Sequence, residues 1–191
     1  VEVTAPRRVS EREIRDFVAG KTAWLTKYMA LVPEKIKFQY VTGEIHHVFG
    51  RAYPLQVCLG MRDDAAVSTD GELRLLLRTK QREREKVFKA GMKRILLWEI
   101  EKQLEIWTKR MAIPESRITG VTIRVMKSRW GSCRRVTGRF SFALDLVTKP
   151  KECIEAVVVH ELCHLFAAGH GADFYARMET YLPDYKERDR L

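Results

Sequence analysis

The sequence predicts an α+β fold in one compact structural unit, for three reasons. Apolar residues recur at helical spacing near the start, in the middle and near the end of the chain. Short runs with strand character lie between these helical segments and are bounded by glycines. A hydrophobic content of 46% and a charged content of 31% are typical of a globular protein that can bury a core.

Residues 1–80 are predicted to form an N-terminal helix and a small β lobe. Ser10 and Glu13 have the spacing of a capping box, which predicts a helix from this point to Pro33. Glycines and an Asp70-Gly71 turn bound the strand-like runs that follow, which favours a small antiparallel sheet. These predicted strands cover residues 37–42, 47–49, 53–59 and 73–77.

Residues 81–191 are predicted to form the second part of the same unit. A long helix over 81–112 begins with charged turns of alternating sign, which are more typical of a solvated face than of a nucleic-acid patch. It then continues amphipathically through apolar positions that include Phe88, Trp98 and Trp107.

Two strands and a final helix are predicted after this long helix. Alternating residues predict strands over 121–125 and 139–147, with a polar turn at 134–138. Pro150 suits the first turn of the final helix. The apolar face of that helix is predicted to contain Ile154, Val158, Leu162 and Leu165.

Composition limits the setting and the partners of the chain. The net charge of +10 would attract phosphates, nucleic acid or acidic surfaces, but a solvated basic surface explains it equally well. Four cysteines without a C-x-x-C pair predict a reducing, cytoplasmic setting, and no apolar run approaches the roughly 20 residues needed to cross a membrane. The chain begins with Val1, so its native N-terminus is undetermined.

The most informative motif lies on the final predicted helix. His160-Glu161-Leu162-Cys163-His164 places two histidines four residues apart on one helical face, where both can reach one metal ion. Glu161 projects about 100° around the helix, which leaves it beside the metal. Gly169 is predicted to permit a turn that brings His170 back to the metal. Three neutral imidazoles leave a zinc ion one open position for water, as in catalytic sites.

These residues predict a hydrolytic enzyme that uses one Zn²⁺ ion. Zinc lowers the pKa of a bound water from about 15.7 to roughly 7, so hydroxide is available at neutral pH. Glu161 is then the predicted proton acceptor and later the proton donor.

Three other interpretations of the motif follow from the residues. The histidines would only form hydrogen bonds within a core, or Cys163 or Cys133 would complete a structural zinc site. The spacing to His170 also matches the metzincins, but Ala167 occupies their glycine position and no separate Met-turn follows.

Further motifs make the chain resemble the YgjP-like metal-dependent hydrolases, which are related to the SprT-like zincins. The resemblance covers nearly the whole chain and implies a zincin-like core whose active-site helix carries H-E-x-x-H. It also implies zinc ligands at His160, His164 and His170, a catalytic carboxylate at Glu161 and a packing role for Phe174. The motifs that carry it are Phe49-Gly50-Arg51-Ala52-Tyr53-Pro54-Leu55, Ser128-Arg129-Trp130-Gly131-Ser132-Cys133, His160-Glu161-Leu162-Cys163-His164, His170-Gly171-Ala172-Asp173-Phe174 and Pro183-Asp184-Tyr185.

The residues and the resemblance together predict a cytoplasmic zinc metallopeptidase that acts on a peptide or protein. Residues 121–125 or 139–146 would align an extended peptide by strand pairing. One alternative, implied by the resemblance, is a pyrophosphatase that hydrolyses the nucleotide UTP at the same metal. Another is a non-catalytic, zinc-stabilised module that binds nucleic acid or protein.

Several residues are candidates for contacts with substrate. Trp130-Gly131-Ser132 is either a turn that binds substrate near the metal or a structural corner anchored by Trp130. The candidates for binding substrate are Arg129, Trp130 and Ser132, and those for stabilising an oxyanion are Arg129, Ser132, Tyr175 and Tyr181.

Overall fold

The computed structural model describes residues 3, 5–6, 8–29, 37–79 and 83–188. Contacts divide the chain into an N-terminal unit, Val1–Phe38, and a main unit, Gln39–Leu191. The prediction instead divided the chain at residue 80, whereas these contacts group the small sheet with the long helix that follows it. No helix in the described ranges is both long and apolar enough to cross a membrane.

The N-terminal unit contains two short helices, α1 (Glu11–Gly20) and α2 (Thr22–Met29). The predicted capping box is confirmed, because the Glu13 N–H donates to Ser10 Oγ and the Ser10 N–H donates to the Glu13 carboxylate. The prediction of one continuous helix is wrong, because α1 ends at Gly20, a residue of low helix propensity, and Lys21 is its C-cap residue. Pro33, its predicted end, lies outside the described residues.

The first sheet of the main unit has four strands in the order β1-β2-β4-β3. The β1–β2 and β3–β4 pairs are antiparallel, but β2 and β4 are parallel, so the purely antiparallel sheet that was predicted is wrong. The predicted strands omitted β3, whose sequence Asp-Ala-Ala-Val does not alternate clearly. The strands are β1 (Ile45–Val48), β2 (Arg51–Leu59), β3 (Asp64–Val67) and β4 (Leu73–Leu77).

Residues 37–42 do not form the predicted strand. Tyr40 has a positive φ of 54°, which a strand residue does not adopt. The Glu44 carboxylate instead accepts hydrogen bonds from the backbone N–H groups of Gln39 and Tyr40, at 2.8 and 2.7 Å. A side chain therefore satisfies these backbone donors in place of a neighbouring strand.

The long helix α3 (Arg84–Arg110) is the central element of the main unit. Leu96 and Ile100 are completely buried on it, and it contacts strands of both sheets. Gly91 allows the helix to approach β3, since a Cβ there would lie 2.1 Å from the carbonyl oxygen of Ala65. Trp98 was predicted on the apolar face but is 61% exposed. The charged start of the predicted helix at residues 81–82 lies outside the described residues.

The second sheet contains β5 (Gly120–Arg124), β6 (Gly131–Arg134) and β7 (Arg139–Ala143) in the order β5-β7-β6. β7 pairs parallel to β5 and antiparallel to β6, so β7 is central and β6 lies at an edge. The strand predicted to reach residue 147 ends earlier, because Leu144–Thr148 turns into a 3-10 helix.

The helix α4 (Lys151–Cys163) follows, with Pro150 as its N-cap residue, and α5 (Ala172–Tyr181) and α6 (Tyr185–Arg188) complete the chain. The predicted apolar face of α4 is confirmed, since Ile154, Val158 and Leu162 are completely buried and Leu165 beyond the helix end is 7% exposed.

Two polar contacts fasten α4 to α3. The Lys151 ammonium lies 2.9 Å from a carboxylate oxygen of Glu99, whose side chain is only 1% exposed. The Trp107 indole N–H donates to Glu155 at 3.0 Å. Both contacts join the N-terminal half of α4 to the central helix, so they hold the elements that position the site.

We expect Glu99→Gln to destabilise the fold in a pH-dependent way. Burial raises the pKa of Glu99, but Lys151 and Gln103 outweigh burial and hold it below the ordinary 4.5. The folded state then binds fewer protons than the unfolded state, so this stabilisation is complete above pH 4.5 and is lost as pH falls through the folded-state pKa. Loss of a charge-assisted contact predicts about 1.5–3 kcal/mol at neutral pH, measured by urea unfolding.

Glu105→Gln is the matched control, because Glu105 also lies on α3 and pairs with Lys109 at 2.7 Å but is exposed. Exposed pairs contribute little to stability, so this variant should unfold like the parent. An equal loss in both variants, or a loss from Glu99→Gln that persists below pH 3, would contradict the role of the buried pair.

Candidate metal centre and active-site cleft

The C-terminal end of α4 positions the first two histidines. His160 lies in its last turn, and His164 is the C-cap residue with a helical backbone conformation. The chain then turns at once, since the Ala167 N–H donates to the Cys163 carbonyl at 3.1 Å. Gly169 is not required for this turn, because it has no positive φ and a Cβ there would meet no atom within 4 Å.

The structure brings His160, His164 and His170 together. One ring nitrogen of each lies within 4.8 Å of the corresponding nitrogens of the other two. The Nε2 atoms of His160 and His170 are 3.0 Å apart, close to the ~3.3 Å that separates two nitrogen ligands of a tetrahedral zinc ion. Two imidazole nitrogens at this separation can share a proton in an N–H···N hydrogen bond or bind one metal ion together.

The surroundings of these imidazoles determine their tautomer and their protonation state. The Ala167 carbonyl only accepts, so Nδ1 of His164, at 3.1 Å, must carry the proton, and Nε2 keeps its lone pair for a metal. Burial, together with the neighbouring His164 and His170 imidazoles, lowers the pKa of His160 to about 4. Burial also lowers the pKa of His164. Neutral imidazole is the form that binds metals, so the pocket favours the ligand state.

Phe174 packs against all three imidazoles. Its ring centroid lies 4.8 Å from the centroids of His160 and His164 and 4.7 Å from that of His170. The side chain is 1% exposed, so α5 presses this ring against the histidines from the protein interior. The packing role that the resemblance implied for Phe174 agrees with these contacts.

Glu161 lies between α4 and β6, beside the histidines. A Cβ on Gly131 would lie 2.6 Å from Glu161 Oε1, so only glycine allows the strand to approach the carboxylate so closely. Burial raises the pKa of Glu161 to about 7, against an opposing effect of Arg129. The side chain is 4% exposed, and its Oε2 atom has no hydrogen-bond partner.

This set of side chains fits a divalent metal ion. Three converging imidazole nitrogens supply the ligands, and the unpartnered Oε2 of Glu161 is an acceptor that a water molecule at the metal would satisfy. The alternative of a cysteine ligand does not fit, because the group contains neither Cys133 nor Cys163. Burial raises the pKa of both thiols to about 11, which disfavours the thiolate that binds zinc.

A cleft of about 1050 Å³ surrounds these residues. Its floor is α4, one wall is the segment 128–133, and the other wall comes from α5 and α6. Of the residues that the sequence singled out for substrate contacts, the cleft is lined by Arg129, Trp130, Ser132 and Tyr175, whereas Tyr181 does not line it.

The positions of Ser132 and Trp130 bear on the two predicted roles of this segment, a turn that binds substrate or a structural corner. Ser132 pairs with Ser141, whose hydroxyl contacts Thr122 Oγ1 at 2.9 Å, so these side chains share the sheet face opposite Gly131 and Glu161. The indole of Trp130 is 45% exposed, with the Lys149 ammonium 5.9 Å from its ring centroid. It therefore does not anchor a buried corner, and it is available to the cleft.

The edge strand β6 is an element of the cleft wall that the sequence analysis missed. The carbonyl of Trp130 accepts from the Ala143 N–H at 2.8 Å, so even-numbered residues of β6 bond to β7. By alternation, the backbone N–H and C=O groups of Gly131 and Cys133 point away from β7 toward the open edge. The only sequence signal was the W-G-S-C motif, because four residues are too few to show a strand pattern.

The strands predicted to align a substrate do not fit that task. β7 is paired on both sides, which leaves it no free edge. β5 is an edge strand, but its residues do not line the cleft. Only β6 combines an open edge with a position in the cleft wall among the described strands.

A helix with two histidines, a third histidine after a turn and a buried glutamate beside an edge strand define a metal-dependent hydrolase. The chain belongs to the YgjP-like family, because the model of the YgjP-like metallopeptidase domain matches residues 1–191. It is thus a peptidase-like hydrolase of a family that implies a divalent metal.

The solved structures that resemble this chain include two metallopeptidase zymogens. The zymogen of Pyrococcus abyssi abylysin has a TM-score of 0.43 and 24% identity over 48% of this chain and 90% of its own. The zymogen of Methanocaldococcus jannaschii jannalysin has a TM-score of 0.43 and 22% identity over 48% of this chain and 85% of its own. A comparison with curated proteins finds no match.

We expect His160→Ala, His164→Ala and His170→Ala each to weaken metal binding by more than about tenfold, since even outer-shell partners contribute roughly that much. Metal analysis of the purified protein after dialysis against a fixed free zinc concentration measures this loss. His47→Ala is the control, because His47 is exposed on β1. Retention of the full zinc content in any one of the three variants would remove that histidine from the ligand set.

We expect Gly131→Ala to displace the Glu161 carboxylate, because the new Cβ would lie within 2.6–2.9 Å of three Glu161 atoms. Zinc content should persist while turnover of a casein substrate falls by at least about tenfold, since it needs a correctly placed carboxylate. Gly169→Ala is the matched control, as its Cβ meets no atom within 4 Å. Equal activity of the two variants would show that the close approach is not needed.

Proposed function

We propose that the protein is a zinc-dependent metallopeptidase that cleaves peptide bonds with Glu161 as general base. The observation that carries this proposal is the buried Glu161 carboxylate, whose Oε2 lacks a partner next to three converging imidazole nitrogens. A structural zinc site has no use for such an acceptor, whereas hydrolysis requires one.

His160, His164 and His170 would hold the metal, and its chemistry would be polarisation of the substrate carbonyl and activation of a water molecule. Glu161 accepts a proton from the attacking water and later donates it to the amide nitrogen that leaves. A pKa raised by burial to about 7 suits both steps, because the group exchanges a proton readily near neutral pH.

The edge of β6 is the proposed place where the substrate backbone binds. An extended peptide beside this edge would bond to the outward N–H and C=O groups of Gly131 and Cys133. Gly131 is also in contact with Glu161, so a peptide in this position would pass the carboxylate. This arrangement explains why the substrate wall and the catalytic group belong to adjacent elements.

The groups that could bind metal and the core of the main unit do not favour the two alternative functions. The histidine triad is the one group of potential metal ligands in the described ranges, so a second metal for nucleotide hydrolysis has no ligands there. A zinc-stabilised module would need the metal for folding. The main unit instead has an extended core that includes completely buried Leu96, Ile100 and Phe142, remote in sequence from the ligands.

We expect Glu161→Gln to lower kcat by about 10²–10⁴-fold while zinc content stays at the parent value. The amide keeps the shape of the side chain but cannot accept the proton. The measurement is turnover of unfolded casein and of a mixed peptide library, together with UTP and released pyrophosphate in a parallel assay.

Glu152→Gln serves as the control, because Glu152 lies on the same helix and is exposed. A Glu161→Gln protein that keeps the parent rate would refute the general base. If the protein hydrolyses UTP in a way that depends on Glu161 and does not cleave peptides, the pyrophosphatase function would replace the proposed peptidase function. Chelation should abolish activity and leave a cooperative thermal transition, whereas unfolding on chelation would support the zinc-stabilised module.

A further inference from the structure

The basic charge of the chain is concentrated in the sheet that forms the cleft wall. Residues 116–144 contain seven arginines and lysines and no Asp or Glu, within a chain whose net charge is +10. None of these seven side chains forms an ion pair with another residue in the part of the chain that the structure describes. By contrast, Arg94 pairs with Asp64 and Lys109 with Glu105 on α3.

Two of these arginines line the cleft at the two ends of β6. Arg129 precedes Gly131, and Arg135 follows the last strand residue. Glu161 is the only acidic side chain among the described residues that line the cleft. Arg188 also lines it, but its guanidinium is already paired with two carboxylates. The wall therefore carries positive charge on both sides of the Glu161 carboxylate, and no other described carboxylate that lines the cleft neutralises it.

The spacing of the two arginines matches a bound peptide. An extended chain advances about 3.3 Å per residue, so Arg129 and Arg135, six steps apart with strand β6 between them, are separated by at most roughly 20 Å. Glu161 contacts Gly131, which lies between the two arginines along this wall. Side chains a few residues before and after the bond opposite Glu161 would thus lie near one arginine or the other.

Building on the proposed peptidase function, we propose that the cleft selects extended peptide segments with Asp or Glu on both sides of the cleaved bond. Arg129 and Arg135 are the residues that determine this specificity. A peptide satisfies the open edge of β6 as well as the arginines, because it supplies both backbone hydrogen bonds and carboxylates. A single-stranded nucleic acid would satisfy the charges and could stack on Trp130 and Tyr175, but it would leave the backbone N–H and C=O groups of the β6 edge without a strand to pair with.

The test compares two fluorogenic peptides of otherwise identical sequence. The acidic peptide has Asp and Glu within four positions of the scissile bond, and the neutral peptide has Asn and Gln at the same positions. We expect the acidic peptide to have a kcat/KM about tenfold higher at low salt, and this preference should shrink at high salt because these charges are partly exposed. Arg135→Gln, and separately Arg129→Gln, should each reduce the ratio between the two peptides by roughly threefold or more. Lys93→Gln removes the same charge from an exposed position on α3 and should leave the ratio unchanged.

Binding of the same peptides to the Glu161→Gln protein, measured by fluorescence anisotropy, separates this proposal from the proposed function. The acidic peptide should bind more tightly than the neutral one, and this difference should be lost when Arg135→Gln is combined with Glu161→Gln. That result supports the specificity even if neither peptide is cleaved. Equal kcat/KM and equal binding of the two peptides would overturn it. Displacement of the acidic peptide by a single-stranded oligonucleotide, combined with equal binding of the two peptides, would also overturn it and identify a nucleic-acid surface.

Discussion

The close approach of Gly131 to Glu161 is the constraint on which the site depends. Without a side chain at position 131, strand β6 comes within contact of the carboxylate and covers it. Burial then raises the pKa of Glu161 to about 7 and leaves one oxygen without a partner in the protein. One backbone contact therefore sets the distance between sheet and helix, the protonation behaviour of the carboxylate and the place where a peptide would pass it.

The rest of the main unit holds α4 in the position that this contact requires. Lys151 and Glu155 of α4 interact with Glu99 and Trp107 of α3, and Arg188 of α6 pairs with Glu155. Removing one partner of such a buried contact is costly, because the other charge is left without a partner. The contact as a whole adds little net stability, because desolvation offsets much of the attraction. Their benefit here is positional, since they fix the start of a helix whose other end carries His160 and His164.

The sequence predicted the features that depend on local spacing and missed those that depend on distant contacts. Helical geometry brought His160, Glu161 and His164 together in the prediction, and an expected turn after the helix added His170. The parallel pairing of β2 with β4 and of β5 with β7 arises from tertiary packing that leaves no local pattern. β6 is four residues long and begins with glycine, so its strand character was invisible and its importance was carried only by a motif.

The net charge shows why composition alone could not locate a function. A value of +10 is compatible with nucleic acid, phosphates or a solvated surface, because a total charge has no position. The fold gives part of this charge a position, because residues 116–144, which contain no Asp or Glu, form the sheet beside the candidate metal centre. The interactions of exposed charges are screened over about 10 Å at 0.1 M salt, so distant arginines raise the rate of encounter while those lining the cleft act on the bound chain. The position of Arg129 and Arg135 along an open strand edge thus turns a general attraction for anions into a means of choosing among peptides.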